Sequence, residues 1–379
     1  MLLENGDINP ADFTLTRLPI LQASMPPPYF FTSPAIYRQE VSTVFFKEWI
    51  CVGRTEQLSE PSDFLTLELA GEPVVITRDE NGDLHALSAI CRHKSAIVAS
   101  GSGNCRVFSC PYHGWTYSLD GKLLAARGMD STINFDKDTW SLPSFQLEVW
   151  AGFIFINFDP NCEPLGPRLV ELTVRLKNYG VHDMQVAQSE DYPIECNWKV
   201  WVDNGTEAYH VDMVHQESAL PDYPSAIWRA EAPHGHYEIL KVTPTVATTE
   251  TATGAAPVPM IDGLTKEERD QFLIVFIYPN LIINLMSMAM IFGVVMPQGP
   301  TRCRLMGGRC FPPATMRSPQ FASGSETLYA NWEKLRREDI TMVAPAQRGY
   351  HSTMAGRGRY SEQEPLPHRL HNYVIDRIL

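Results

Sequence analysis

Residues 91–115, CRHKSAIVASGSGNCRVFSCPYHGW, set cysteine and histidine in two mixed pairs, Cys91 with His93 and Cys110 with His113, sixteen residues apart. Thiolate and imidazole are both metal ligands, and a structural zinc ion also accepts two of each. Zinc fingers, however, usually draw a knuckle of cysteines and a separate pair of histidines. Here each arm, CxH and CxxH, supplies one of each. That division suits a [2Fe–2S] cluster in which both cysteines hold one iron and both histidines the other, so that each loop reaches both irons. Neutral imidazoles in place of two thiolates reduce the negative charge on the cluster and raise its reduction potential, to a range of about −150 to +300 mV. Pro111 and Gly114 suit a tight loop around such a group, and Trp115 would shield it. Cys105 fits neither arm and reads as a small buried apolar residue. Zinc remains the competing ion, and it predicts a colourless protein.

A cluster alone would make an electron carrier of roughly a hundred residues. A second constellation lies in residues 197–215, NWKVWVDNGTEAYHVDMVH, which hold Glu207, His210 and His215. Glu207 and His210 are three apart and share a helix face. His210 and His215 are five apart, about 140° around an ideal helix, so a regular helix cannot aim both at one ion. A kink or π-bulge is required, and such irregularities mark functional sites. Two histidines and a carboxylate from elsewhere form the facial triad that holds Fe(II) with open positions for O₂. The plain alternative is two ordinary histidines on a half-buried helix.

These loops and helices need a scaffold, and 379 residues at 44% hydrophobic content provide for two or more cored domains. The formal charge of −13 argues against a nucleic-acid partner. MLLENGDINPADF has acids where a signal peptide needs bases, and the eight cysteines show no disulfide spacing, so the expected location is cytoplasmic. Residues 272–300 carry no charge, yet Pro279, Asn280, Asn284 and the 297–300 turn cut them into strand-length pieces, so no membrane span is expected. WICVGRT, DFLTLELA, EPVVITRD, LHALSAI and FIFINFDP read as strands, as do FLIVFIY, LIINLM, IFGVVM and RCRLMGGRCF. VELTVRLKNY and SETLYANWEKLRREDITMVAPAQRG read as helices, and residues 247–263 as a mobile loop that could serve as a lid.

The motifs CRH(x16)CPYHGWTY, LDGKL, NWK, DN, ExYHxxxxH and QRG occur in this order across most of the chain. In them the chain resembles the oxygenase α subunit of the Rieske non-haem iron ring-hydroxylating family. The resemblance implies an α+β protein: an N-terminal segment (1–44) packing on the catalytic domain, an all-β Rieske [2Fe–2S] domain (45–158), and a catalytic domain (159–379). The last would hold an antiparallel sheet flanked by helices, of the helix-grip, START-like kind.

It further implies that Cys91, His93, Cys110 and His113 hold the [2Fe–2S] cluster, and that His210 and His215 bind mononuclear Fe(II). The third ligand would be an acid of RREDITMVAPAQRG, Asp339 by preference with Glu338 as its rival. Glu207 would bridge His210 to His113 of the partner subunit, with Asn204 beside it in the active site. The expected partners are O₂, an organic substrate and a reductase or ferredoxin, within a homotrimer to which a small β subunit is a further candidate addition. Trp201, Val202, Tyr209, Val211, Met213, Ile283, Leu285, Met288 and Phe292 form the expected pocket inventory. It is mostly apolar, and so favours hydroxylation of an aromatic ring or aryl acid. Glutamate at 207, where many aromatic dioxygenases have aspartate, keeps a quaternary amine as the alternative substrate, hydroxylated or demethylated by a monooxygenase.

Overall fold

The computed structural model describes residues 8–219, 222–243 and 257–379. The chain forms two compact units, one over Phe45–Gly166 and one that joins residues 8–44 to Pro167–Leu379.

The first unit is all β. Its seven-stranded antiparallel sheet runs Ile50–Arg54, Phe153–Asn157, Ser144–Trp150, Leu84–Ser88, Glu72–Arg78, Asp63–Leu69 and Ser102–Asn104 in spatial order. Two of its hairpins turn on residue pairs with positive φ, Ala70–Gly71 and Ala151–Gly152, the geometry whose twist matches the flanking strands. Strands Val107–Ser109, Thr116–Ser118 and Leu123–Ala125 form a smaller sheet. The unit closes at 166, where the sequence reading ends it at 158, because the intervening segment is tied back onto its strands. Trp49 Nε1–H donates to the Glu163 carbonyl at 2.8 Å, and the Leu165 and Gly166 amides donate to the Glu148 carboxylate at 3.1 and 3.2 Å.

The second unit holds another seven-stranded antiparallel sheet, in the order Gln185–Ile194, Arg302–Phe311, Met290–Gly299, Leu281–Leu285, Phe272–Ile277, Tyr237–Val242 and Trp228–Ala230. The uncharged 272–300 stretch is thus three central strands, and among the described residues no helix is long and apolar enough to cross a membrane. Helix Trp198–Gly205 packs on strand Met290–Gly299. It also comes so near strand Leu281–Leu285 that a Cβ on Gly205 would lie 2.9 Å from Ile282 Cδ1.

The N-terminal residues anchor the same helix. Glu40 pairs with Lys199, both fully buried, and accepts from Trp198 Nε1–H at 2.9 Å. Gln347 of the QRG stretch accepts from the Asn197 amide at 2.7 Å and donates to the Phe31 carbonyl at 3.0 Å.

Several elements escape the sequence reading, among them strands Ser144–Trp150 and Tyr237–Val242. Strand Gln185–Ile194 is polar and lies at a sheet edge, and helix Pro365–Ile378 opens on PLP, where Pro suits the first helical turn. Of the expected lid, residues 247–256 lie outside the described residues. Residues 257–263 are no loose flap, since Val258 is buried in a core with Met288, Phe311 and Leu328.

Candidate metal centres and pocket

The two Cys/His loops are built alike. In each, the cysteine amide donates to the carbonyl five residues on, Cys91 to Ala96 and Cys110 to Trp115, both at 2.8 Å. In each, the residue four past the cysteine takes positive φ, Ser95 at 56° and Gly114 at 74°. The loops therefore present Cys and His in one local geometry from two sides. Cys91 and Cys110 are buried in the domain core, while the His93 and His113 rings lie 4.5 Å apart at the half-buried rim. His93 stacks flat on Trp115 at 5.0 Å, and its buried Nδ1 has no hydrogen-bond partner. A nitrogen so placed suits a metal bond. Burial, then His93 and Lys94, hold the His113 imidazole below its usual pKa, in the neutral form that ligates. Tyr117 places its hydroxyl 3.4 Å from Cys91 Sγ, a contact that tunes cluster potential. Buried thiols paired with rim imidazoles thus fit a [2Fe–2S] group.

The second constellation resolves the five-residue spacing by ending the helix. Helix Trp198–Gly205 stops, residues 206–210 turn irregularly, and His210 and His215 cap the two ends of the short helix Val211–Val214. Their Nε2 atoms lie 3.3 Å apart, and Asp339 Oδ1, from helix Phe321–Tyr350, lies 3.5 Å from one and 3.1 Å from the other. Among the described residues this is the one group of three such side chains whose donor atoms fall within 4.8 Å of one another. The outer nitrogens are taken: Glu207 bonds His210 Nδ1, and Glu338 bonds His215 Nδ1 at 2.8 Å while also accepting from Ser218. With Nδ1–H donating outward, each ring turns its Nε2 lone pair inward. Asp339 and Glu338 therefore stand in different places, one at the convergence point and one behind His215.

Burial alone would lower the His210 pKa, but Asp339 and Glu207 outweigh it and push it up to about 10. The two imidazoles hold the buried Asp339 carboxyl well below its usual range. A cation at this point would replace protons and complete the charge balance, so the donor set fits a divalent iron.

Helix and sheet enclose a pocket at this triad, which includes Trp201, Asn204 and Val211 as expected. Tyr209 and Met213 are instead 60% and 73% exposed and stand outside it, and Val202 and Met288 are buried in the core rather than lining it. The strand residues are corrected by one position. Ile282, Asn284, Met286, Ile291 and Gly293 floor the pocket, whereas Ile283, Leu285 and Phe292 are buried on the opposite face. A one-residue shift exchanges sheet faces, and strands apolar on both faces show no alternation to fix it. Sequence reasoning also missed Tyr223, Trp228, Phe272, Glu190 and Arg336, which share the pocket from distant elements.

The chain is similar to known proteins over both units. The family described as "Ring hydroxylating alpha subunit (catalytic domain)" matches residues 181–379, and that described as "Rieske [2Fe-2S] domain" matches residues 48–146. Chloroplastic choline monooxygenase of Arabidopsis thaliana is 28% identical over 374 residues, covering 94% of this chain and 83% of its own. The carnitine monooxygenase oxygenase subunit of Acinetobacter pittii is 38% identical over 192 residues, 50% of this chain and 52% of its own. Among solved structures, the quaternary ammonium Rieske monooxygenase CntA in complex with γ-butyrobetaine has a TM-score of 0.78 at 26% identity, covering 98% of this chain and 99% of that one. Naphthalene 1,2-dioxygenase from Rhodococcus sp. has a TM-score of 0.77 at 21% identity over 94% of each chain, a likeness of fold. Family matches over both units, in the order the motifs run, lead to one assignment: the chain belongs to the ring-hydroxylating oxygenase alpha subunits, oxidoreductases that join a Rieske [2Fe–2S] domain to a catalytic domain carrying a mononuclear iron site and that need O₂, a small-molecule substrate and electron-transfer partners.

Proposed function

We propose that this oxygenase is a cytoplasmic monooxygenase that hydroxylates or demethylates a quaternary ammonium compound. The observation that carries the reading is an aromatic corner in the pocket wall. Tyr223 and Trp228 meet Phe272 edge to face, with ring centroids 6.0 and 6.1 Å away. An alkylated ammonium cannot donate hydrogen bonds and is held by aromatic faces, at about 0.5–2 kcal/mol for each contact. Choline and carnitine monooxygenases, the relatives named above, act on compounds of this class. An aromatic ring or aryl acid is the competing occupant, since Ile274, Ile282, Ile291 and Leu305 form an apolar floor.

When bound, the iron supplies reductive activation of O₂ with electrons stored on the [2Fe–2S] cluster. In this reading Cys91, His93, Cys110 and His113 hold the cluster and His210, His215 and Asp339 hold the mononuclear iron. Glu207 and Glu338 fix the imidazole tautomers, and Asn204 lines the approach to the iron. Glu207 also connects His210 to His113 of the partner subunit in a ring of three chains. Product analysis with a surrogate reductase and labelled O₂ tests the reading. A quaternary amine with one labelled oxygen on carbon, or a dealkylated amine together with an aldehyde that carries the one labelled oxygen, is the expected result. Turnover confined to ring compounds, with two oxygens incorporated, overturns it.

A further inference from the structure

The pocket holds a cation of its own that its protein neighbours only partly satisfy. Arg336 lies on helix Phe321–Tyr350 one turn before Asp339, so it shares the iron-facing side of that helix. Its guanidinium sits over Trp201 at 5.5 Å, and both side chains line the pocket. The buried Nε has no hydrogen-bond partner, and the side chain's contact to Glu190 is long, at 3.4 Å.

Glu190 is already engaged more closely, by Arg309 Nε at 2.7 Å. Arg309 is otherwise committed to Gln188, the Tyr329 carbonyl and Glu333. Glu333 in turn pairs with Arg337 at 2.8 Å. The cluster therefore sets three guanidinium groups, Arg309, Arg336 and Arg337, against two carboxylates, Glu190 and Glu333, and one positive charge is left over. Arg309 and Arg337 hold the closer pairings, so the surplus falls to Arg336.

A half-buried guanidinium with a free N–H at a substrate pocket is a receptor for a planar anion. We infer that the substrate carries a carboxylate and that Arg336 receives it. The substrate is then a zwitterion, with its alkylated nitrogen at the aromatic corner and its carboxylate on Arg336. The first half of that description rests on the function proposed above; the carboxylate contact does not.

Four probes separate the two ideas: γ-trimethylammonio butyrate, γ-phenylbutyrate and the carboxamide of each. Dissociation constants come from calorimetry on the metal-loaded enzyme, and turnover from the reductase-coupled assay. The wild type should prefer an acid over its amide by about 10- to 100-fold, the range for a hydrogen bond to a charged group. In Arg336→Gln that ratio should fall toward one, and in Arg336→Lys, which keeps the charge without the fork, it should recover in part. Arg304→Gln, a side chain 43% exposed, paired with Asp191 and outside both the pocket and the cluster, should keep the wild-type ratio. A ratio near one in the wild type, or one that survives in Arg336→Gln, overturns the inference. Preference for the phenyl acid over the trimethylammonio acid would instead remove the quaternary-amine reading and leave Arg336 as the anion receptor.

Discussion

Replacing Glu40 with Gln tests whether the N-terminal segment braces the helix that leads into the iron site. Glu40 and Lys199 are both 0% exposed, so the pair forms without solvent. The Gln side chain can still accept from the Trp198 indole, which isolates the charge as the thing lost. Lys199 would then keep the Phe30, Trp198 and Phe31 rings, 4.5, 5.4 and 5.8 Å from its Nζ, as compensation. Breaking a buried ion pair from one side costs about 3–5 kcal/mol, because an uncompensated charge stays behind. Burial already lowers the Lys199 pKa against the opposing effects of Glu40 and Asp203, so the variant should hold that proton less firmly. At roughly 2–4 °C per kcal/mol for a unit of this size, the melting temperature should fall by about 6–20 °C. Thermal unfolding followed by circular dichroism reads the shift. Glu40→Gln combined with Lys199→Met should recover most of it, since removing both charges of a buried pair is often nearly neutral. A single-variant drop below about 3 °C, or a double variant no better than the single, would refute the reasoning.

Asp339→Ala should lose the mononuclear iron, about one of the three irons per chain, with the visible spectrum of the cluster unchanged. Glu338→Gln should keep that iron with affinity lower by about 10- to 100-fold, and metal analysis showing the reverse pattern would exchange the two roles. Glu207→Gln should retain both metals and reducible clusters yet nearly stop product formation, and normal coupled turnover would take Glu207 out of the electron route. Burial, with the Glu207 and Asp203 carboxylates adding to it, pushes the Glu364 pKa up from 4.5 to about 7. The native state thus holds a proton that the unfolded chain releases, so this contribution is full below about pH 4.5 and lost as pH rises through about 7. After allowance for partial exposure it is on the order of 1–2 kcal/mol, and Glu364→Gln should flatten the fall in denaturation midpoint between about pH 5 and pH 8. An equal fall in the variant would assign the pH dependence elsewhere.

What could be read before the structure was local chemistry. Cys91 and His93, Cys110 and His113, and His210 and His215 lie so close in sequence that spacing alone constrains their geometry, and the need to break the helix between the last pair follows from its pitch. Asp339 comes from a helix more than a hundred residues on, and only the family motif order pointed to it. The links of Glu190 to Arg309 and Arg336 and of Glu40 to Lys199 also join residues distant in sequence, and no local period reports them.

The strand face is a different failure, and one with a usable remedy. In LIINLM every residue but one is apolar, so alternation gives no parity and Ile283 and Leu285 looked as eligible as their neighbours. Asn284 is the exception. An amide buried in a central strand needs a hydrogen-bond partner or a cavity on its side, because an unsatisfied one costs about 1–3 kcal/mol. Its Oδ1 has no protein partner, and the side chain lines the pocket together with Ile282 and Met286. A lone polar residue inside an otherwise uncharged strand therefore marks the ligand face. Here it selects the even-numbered residues, and through the register with Ile274 and Ile291 it extends the same choice to the strands on either side.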